Sequence, residues 1–193
     1  SHYWITAPDG TGGPERPNVL LPDLRTYFRP EVGGMVLGFQ EPRSQTYDPY
    51  GLPETMEAAL RYDEAADADL LVEHAALLRP LIPSLDAWRF SHHIVGLSMY
   101  TPDGKLLLGP IPAVEDLLVA GGCCGSGIAM SGGIGFALAE LIAGRNPTID
   151  RAIFDPTRFG DVDPAATGFR ELCAAARAGK SRGRNGAPAS ASL

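Results

Sequence analysis

Cysteine is scarce in this 193-residue sequence: there are three, and two of them, Cys123 and Cys124, are adjacent. Three thiols do not make a disulfide framework, and a reducing cytoplasm is the expected compartment. Basic charge is outweighed, with 16 Lys+Arg against 23 Asp+Glu and a formal net charge of −7, so nucleic acid is not expected as a partner. No apolar run is long enough to span a membrane, and no membrane association is expected. The opening SHYWITAPDG lacks both the charged and the apolar region of a secretory signal. The sequence starts at Ser1 rather than at a methionine, so that lack says little about what lies upstream.

Several catalytic signatures are missing too. A dinucleotide fingerprint needs G-x-G-x-x-G; Gly125-Ser126-Gly127 begins one, but Met130 stands at its last position, and Gly133-Ile134-Gly135 ends at Leu138. There is no Walker motif. A nucleophile elbow needs glycine two residues before the serine, where Ser126 has Cys124 and Ser131 has Ala129. Cys123-Cys124 lacks metal-ligand spacing, although a thiol at a helix N-terminus, as at Cys124, is open to activation by the dipole. His92 and His93 are neighbours on an expected strand, so they point to opposite faces. No metal ligand set is expected.

What the chain has in quantity is glycine, 23 residues, and the densest stretch is Leu117–Gly144, LLVAGGCCGSGIAMSGGIGFALAELIAG. Leu117–Ala120 reads as a strand buried on both faces. A glycine-rich turn and a helix follow, and the first helical N–H groups favour an acceptor or negative charge. Gly132, Gly133 and Gly135 each cost the helix about 1 kcal/mol against alanine, so a flat partner in close contact is expected to compensate. Tight helix–strand packing without any ligand is the alternative.

Elsewhere, His2–Thr6 reads as a strand, and Thr26–Pro30 and Gly34–Phe39 as a hairpin around Glu31-Val32-Gly33-Gly34. Gln40–Pro53 is irregular, with a short helix expected over Glu54–Leu60. Asp67–Arg79 is amphipathic, with Leu70, Leu71, His74, Leu77, Leu78 and Leu81 on one face and Pro80 as its stop; His74 is read as a structural histidine. Ala87–Tyr100 reads as a long strand, Thr101-Pro102-Asp103-Gly104 as a turn, and Lys105–Leu108 as the return strand. Gly144 and Pro147 stop the glycine helix. Asp163-Pro164 opens a last helix reaching about Ala178, and a disordered tail with solubilising Lys180, Arg182 and Arg184 is expected from Gly179.

Taken together, Thr101-Pro102-Asp103, Gly109-Pro110, the strand–GGxxGxG–helix and Phe154-Asp155-Pro156-x-Arg158-Phe159 resemble the C-terminal segment of the FAD-dependent D-amino acid oxidase superfamily. The branch with sarcosine and dimethylglycine dehydrogenases and oxidases and glycine oxidase is the most similar. HYWIT, Tyr27–Glu31 and Gly33–Gly38 fit it as well, so the resemblance covers most of residues 1–159. It implies an α+β fold: a mostly antiparallel substrate-domain sheet with flanking helices over residues 1–116, and the last strand–helix element of an FAD-binding domain over 117–160. A terminal helix (161–178) and a tail (179–193) complete the expected division. The family's N-terminal dinucleotide-binding unit is not in this sequence, so the resemblance implies a partner unit carrying it. That unit would sit on a longer chain or a second polypeptide, unless this product is truncated.

The resemblance places FAD against Gly122, Cys123, Cys124, Gly125, Ser126, Gly127 and Ile128, with Thr101 and Pro102 near the ring. The positive end of the helix would stabilise charge on the reduced flavin. It implies a small amine or amino acid as substrate, including N-methylated ones, oxidised at its C–N bond by hydride transfer. Tyr27, Gln40 and Tyr100 are the implied catalytic positions; Arg29, Ser98 and His92 are the implied substrate-binding ones. Gln40 stands where sarcosine oxidases carry a histidine, and Ser98 where glycine oxidase places its carboxylate-binding arginine. Arg29 is then the candidate clamp, with a cross-strand salt bridge as its alternative. Gly96 replaces the flavin-bonding cysteine of monomeric sarcosine oxidases. A non-catalytic subunit that docks on the fingerprint-bearing unit is the rival reading.

Overall fold

The computed structural model describes residues 2–41, 44–55 and 64–180. Among these, the chain forms two compact units, one from residues up to 41 and 53–97, the other from 44–52 and 98–180. Both combine helix with antiparallel sheet.

The first unit is a five-stranded antiparallel sheet in the order β2-β3-β4-β1-β5, with β1 at His2–Thr6, β2 at Val19–Leu21, β3 at Thr26–Glu31, β4 at Gly34–Phe39 and β5 at Phe90–Val95. The expected hairpin is present. Val32 and Gly33 both take positive φ, 42° and 82°, as the tight turn that matches strand twist requires. β4 is buried at every position, which explains its nearly unbroken apolar sequence. One sheet face carries Trp4, Phe28, Leu37 and Phe39 and is covered by helix α1 (Glu64–Leu78) through Leu70, Leu71 and Leu78, with Leu85 and Trp88 completing the core. Burying Leu37, Phe39 and Leu78 almost completely contributes about 1.5–3 kcal/mol each.

Two expectations about this unit change. Leu77 and Leu81 are exposed, 54% and 59%, rather than part of the covered stripe. Leu77 lies at the rim of that stripe, and the chain turns after Leu78, whose carbonyl accepts from both Leu81 and Ile82, so Leu81 no longer follows the helical period. The long strand over 87–100 is only Phe90–Val95, because its one neighbour, β1, offers only His2–Thr6 for pairing. The helix expected at 54–60 falls almost entirely outside the described residues.

The second unit is built on a two-stranded antiparallel ladder, β6 (Leu107–Pro110) with β7 (Leu118–Gly121), followed by α2 (Gly127–Ile142) and α3 (Thr167–Gly179). Thr101–Gly104 is the expected turn, closed by the Gly104 N–H on the Thr101 carbonyl at 3.1 Å. The strand after it pairs forward with β7 and not back onto residues 87–100. β7 is not buried on both faces: Leu117 is 45% exposed and Ala120 is also exposed. α2 stops where expected. Gly144 is left-handed (φ 61°), with Gly144 N–H on the Leu141 carbonyl and Arg145 N–H on that of Glu140, the paired bonds of a Schellman end. The last helix begins at Thr167, because Asp163 spends its carboxylate and carbonyl on a turn to Ala165 and Ala166. It runs through Gly179, the first residue of the expected tail, and the tail beyond Lys180 lies outside the described residues. Residues 98–116, grouped by sequence with the sheet, fall in this second unit.

Candidate active site

The glycine turn is bent and packed by its own neighbours. Gly122 is left-handed (φ 59°), and a Cβ there would come within 3.0 Å of Thr101 Cγ2. Cys124 also takes positive φ, 50°, and its N–H donates to the Met99 carbonyl at 3.2 Å while its thiol points back to the Gly122 carbonyl at 3.0 Å. Cys124 is thereby 6% exposed, so its sulfur is packing, not an open nucleophile. At Gly125 (φ 70°) a Cβ would meet Lys180 Nζ at 2.6 Å and the Tyr100 hydroxyl at 3.0 Å. Lys180 Nζ donates to the Cys124 carbonyl at 2.7 Å, and the Arg177 guanidinium lies 5.7 Å from the centre of the Tyr100 ring. Burial and the nearby Arg177 hold the Lys180 amine below its ordinary range.

Lys180 is the residue the sequence reading missed, having grouped it with a solubilising tail. The signal was one helical step away: α3 carries Arg177 three residues earlier on the same face.

At Ser126 the turn becomes α2. No side chain caps this end, and no acidic residue lies in its first turn. Ile128 stands 95% exposed beside it. An uncapped helix start with a lysine at the preceding turn is a positively polarised end. It fits an electron-rich ring with acceptor atoms, which is the demand flavin makes. Gly125, Ile128 and Ala129 are the exposed residues here, while the Cβ spaces at Gly122 and Gly125 are taken by Thr101, Tyr100 and Lys180.

The sequence motifs close on one another here. Arg158 of the F-D-P-x-R-F run grips Asp103 of T-P-D at 2.9 Å through both Nε and Nη2, and donates to the Lys105 carbonyl at 2.8 Å. Pro156 lies 3.2 Å from where a Cβ of Gly109 would stand. The buried Thr101 hydroxyl donates to the Lys105 carbonyl at 2.6 Å. Burial pushes the Asp103 carboxyl up, but bonds from Arg158, the Lys105 N–H and Thr101 outweigh it and hold the group below its usual range.

In the first unit, register places Tyr27 and Arg29 with His92 on the sheet face opposite α1. Tyr3 pairs with Gly38 and Gly38 with Tyr27; Ile5 pairs with Val36 and with His92, and Val36 with Arg29. The Tyr27 ring fills the space a side chain at Gly38 would need and meets Tyr3 edge-on at 5.9 Å. Arg29 is ion-paired with Glu31 on its own strand, so the salt-bridge alternative holds in a same-strand form. Gln40 lies just past β4, its N–H on the Arg25 carbonyl. His92 is exposed beside Ser91. Ser98 is exposed and, like Tyr100, belongs to the second unit.

The chain belongs to a family of flavoenzymes, the FAD dependent oxidoreductases, DAO, whose family model matches residues 1–141. The chain is 29% identical over 150 residues, 72% of its length, to dimethylglycine dehydrogenase, mitochondrial, of Rattus norvegicus, and spans 17% of that protein. It is 28% identical over 169 residues, 87% of its length, to the pyruvate dehydrogenase phosphatase regulatory subunit, mitochondrial, of Mus musculus, and spans 19% of it. Among solved structures, L-proline dehydrogenase from P. horikoshii matches with a TM-score of 0.61 and 25% identity, over 82% of this chain and 38% of that one. The chain thus spans well under half of each.

Proposed function

We propose that this chain is the C-terminal portion of an FAD-dependent oxidoreductase that oxidises the C–N bond of a small amino acid or amine, N-methylated substrates included. The observation that carries the reading is the uncapped start of α2, on a turn fastened by the Cys124 N–H to the Met99 carbonyl and by Lys180 to the Cys124 carbonyl. The flavin would supply the redox chemistry by accepting hydride. The chain's own part is positioning and charge. The amides of residues 127–129 and the ammonium of Lys180 provide positive potential for an electron-rich ring. Tyr27 and Arg29 present a phenol and a guanidinium on one sheet face, and Arg29 would exchange Glu31 for a substrate carboxylate. We assign the first unit to the substrate domain and β7–α2 to the FAD-binding domain.

The nucleotide half of the cofactor needs a fingerprint-bearing unit. One face of α2 is apolar and bare: Ile128, Phe136 and Ile142 are 95%, 57% and 76% exposed, and a Cβ at Gly132 or Gly135 would meet nothing within 4 Å. A helix apolar on all sides is normally covered on all sides. We assign that face to the fingerprint-bearing unit, since the solved relative is more than twice this chain's length.

The second reading, a non-catalytic subunit, is favoured by the similarity to a regulatory subunit over 87% of the chain. One experiment separates the two. The chain is purified alone and with a fingerprint-bearing unit, FAD is added, and bound flavin absorbance and its bleaching by N-methyl amino acids are followed. Bound flavin that bleaches supports the enzyme. A complex that forms without flavin uptake supports the subunit reading and rejects the enzyme.

A further inference from the structure

A second cluster of reactive side chains lies in the first unit, on the helix-covered face of the sheet. His2 on β1 and His93 on β5 are diagonal neighbours across paired strands, and Asp67 reaches them from α1. One donor atom from each of His2, Asp67 and His93 lies within 4.8 Å of the other two. His2 Nδ1 is 3.1 Å from His93 Nε2 and 3.7 Å from Asp67 Oδ1, and His93 Nδ1 is 3.7 Å from Asp67 Oδ2. The carboxylate distances are too long for hydrogen bonds. The His2–His93 contact is itself a hydrogen bond, and His93 meets His2 through Nε2 but Asp67 through Nδ1, so an ion would replace that bond and take one nitrogen of His93. Tetrahedral bonds of 2.0–2.2 Å put neighbouring donors about 3.4 Å apart, which a set already inside 4.8 Å reaches by small side-chain rotations.

The surroundings suit an ion as well. The Glu41 carboxylate lies 3.0 Å from His2 Nε2. With the His2 proton on Nε2 toward Glu41, Nδ1 accepts from His93 Nε2, and an ion would take that lone pair in place of the bond, giving the carboxylate–histidine–metal arrangement. Trp4 stacks on His93 at 4.2 Å and on His2 at 5.5 Å, fixing both rings, and Phe39 backs Trp4 at 4.5 Å. The side chains are 11% (His2), 17% (Asp67) and 22% (His93) exposed, closed enough to hold an ion and open enough to admit one. Two imidazoles and one carboxylate make a donor set for a first-row divalent ion with a position left for water.

We propose that His2, His93 and Asp67, oriented by Glu41, bind a divalent transition-metal ion that fastens α1 to strands β1 and β5. The full chain, free of any polyhistidine tag, is titrated with Zn²⁺ by calorimetry and with Co²⁺ by visible absorption. One ion per chain is expected, with a rise in thermal midpoint on Zn²⁺ addition. Asp67→Asn and His93→Gln should lose saturable binding, and Glu41→Gln should weaken it 10–100-fold. A measurement without variants accompanies these: diethylpyrocarbonate labelling mapped by mass spectrometry. Zn²⁺ should protect His2 and His93 and leave the exposed His92 labelled at its original rate. Absence of stoichiometric binding to the unaltered chain overturns the proposal. So does binding that leaves His2 and His93 unprotected, or that survives in folded Asp67→Asn and His93→Gln.

Discussion

Arg158 holds Asp103 by two parallel N–H···O bonds, both 2.9 Å long, across 55 residues of sequence. The fork spans the turn before β6 and the segment after α2, and Arg158 is only 13% exposed. Arg158→Met would leave the Asp103 carboxylate without its two donors. It should destabilise the chain by about 2 kcal/mol, read by urea denaturation. Arg158→Lys keeps the charge but not the fork and should recover only part of that. The Asp103 carboxyl sits below its ordinary range, so its contribution is present above about pH 4 and is lost as pH falls through the folded value. Asp103→Asn should flatten that acid limb; an unchanged limb would show that the fork carries no such linkage.

His74 lies 7% exposed under the sheet, its Nδ1 3.1 Å from the Leu70 carbonyl and its ring stacked 3.9 Å from Phe39. Burial holds its pKa below the ordinary value, against smaller opposing effects of Leu70 and Glu73. The folded state therefore prefers the neutral ring and the unfolded chain takes up the proton first. Stability from His74 is present above about pH 6.5 and is lost as pH falls below it. His74→Phe keeps the stack and removes the proton. Its melting temperature should fall less steeply than that of the unaltered chain between pH 6.5 and 5. Identical slopes would exclude His74 as a source of the acid loss.

The three free thiols should differ in reactivity. Burial, with Cys124 nearby, pushes the Cys173 thiol up to about 11, leaving little thiolate at pH 8. Cys124 is buried on the Gly122 carbonyl. Cys123, half-buried, should take up iodoacetamide first in the native protein, with Cys124 and Cys173 reacting only on unfolding. Peptide mass spectrometry gives the order, and Cys124 reacting first would restore the dipole-activated thiol that the sequence allowed.

Features that rest on local chemistry were legible in the sequence. The turn at Val32-Gly33 needs positive φ, the helix end at Gly144 needs a left-handed residue, and both are written within four residues. The glycine turn was legible as a motif. What decides its openness was not: Gly122 and Gly125 are occupied by Thr101, Tyr100 and Lys180, the last 55 residues away from Gly125. Strand length was misread at 87–100 because it is set by the partner, and β1 is short. The His2–Asp67–His93 cluster spans 91 residues and three elements, so no spacing announces it.

The glycines of this chain fall into two kinds, and alanine substitution separates them. Gly122 is left-handed and faces Thr101 Cγ2, so Gly122→Ala meets both backbone strain and a side chain and should cost about 1–3 kcal/mol. Gly132 lies inside α2 with open space around it, so Gly132→Ala should stabilise the isolated chain by up to about 1 kcal/mol. A stabilising substitution that the natural sequence forgoes needs a reason outside the isolated chain, and close approach of a covering unit is one. The same Gly132→Ala, tested with a fingerprint-bearing unit present, should then weaken association at least tenfold by ultracentrifugation or calorimetry. If it raises stability and leaves association unchanged, the glycines of α2 do not mark the covered face, and Ile128, Phe136 and Ile142 become the positions to test in its place.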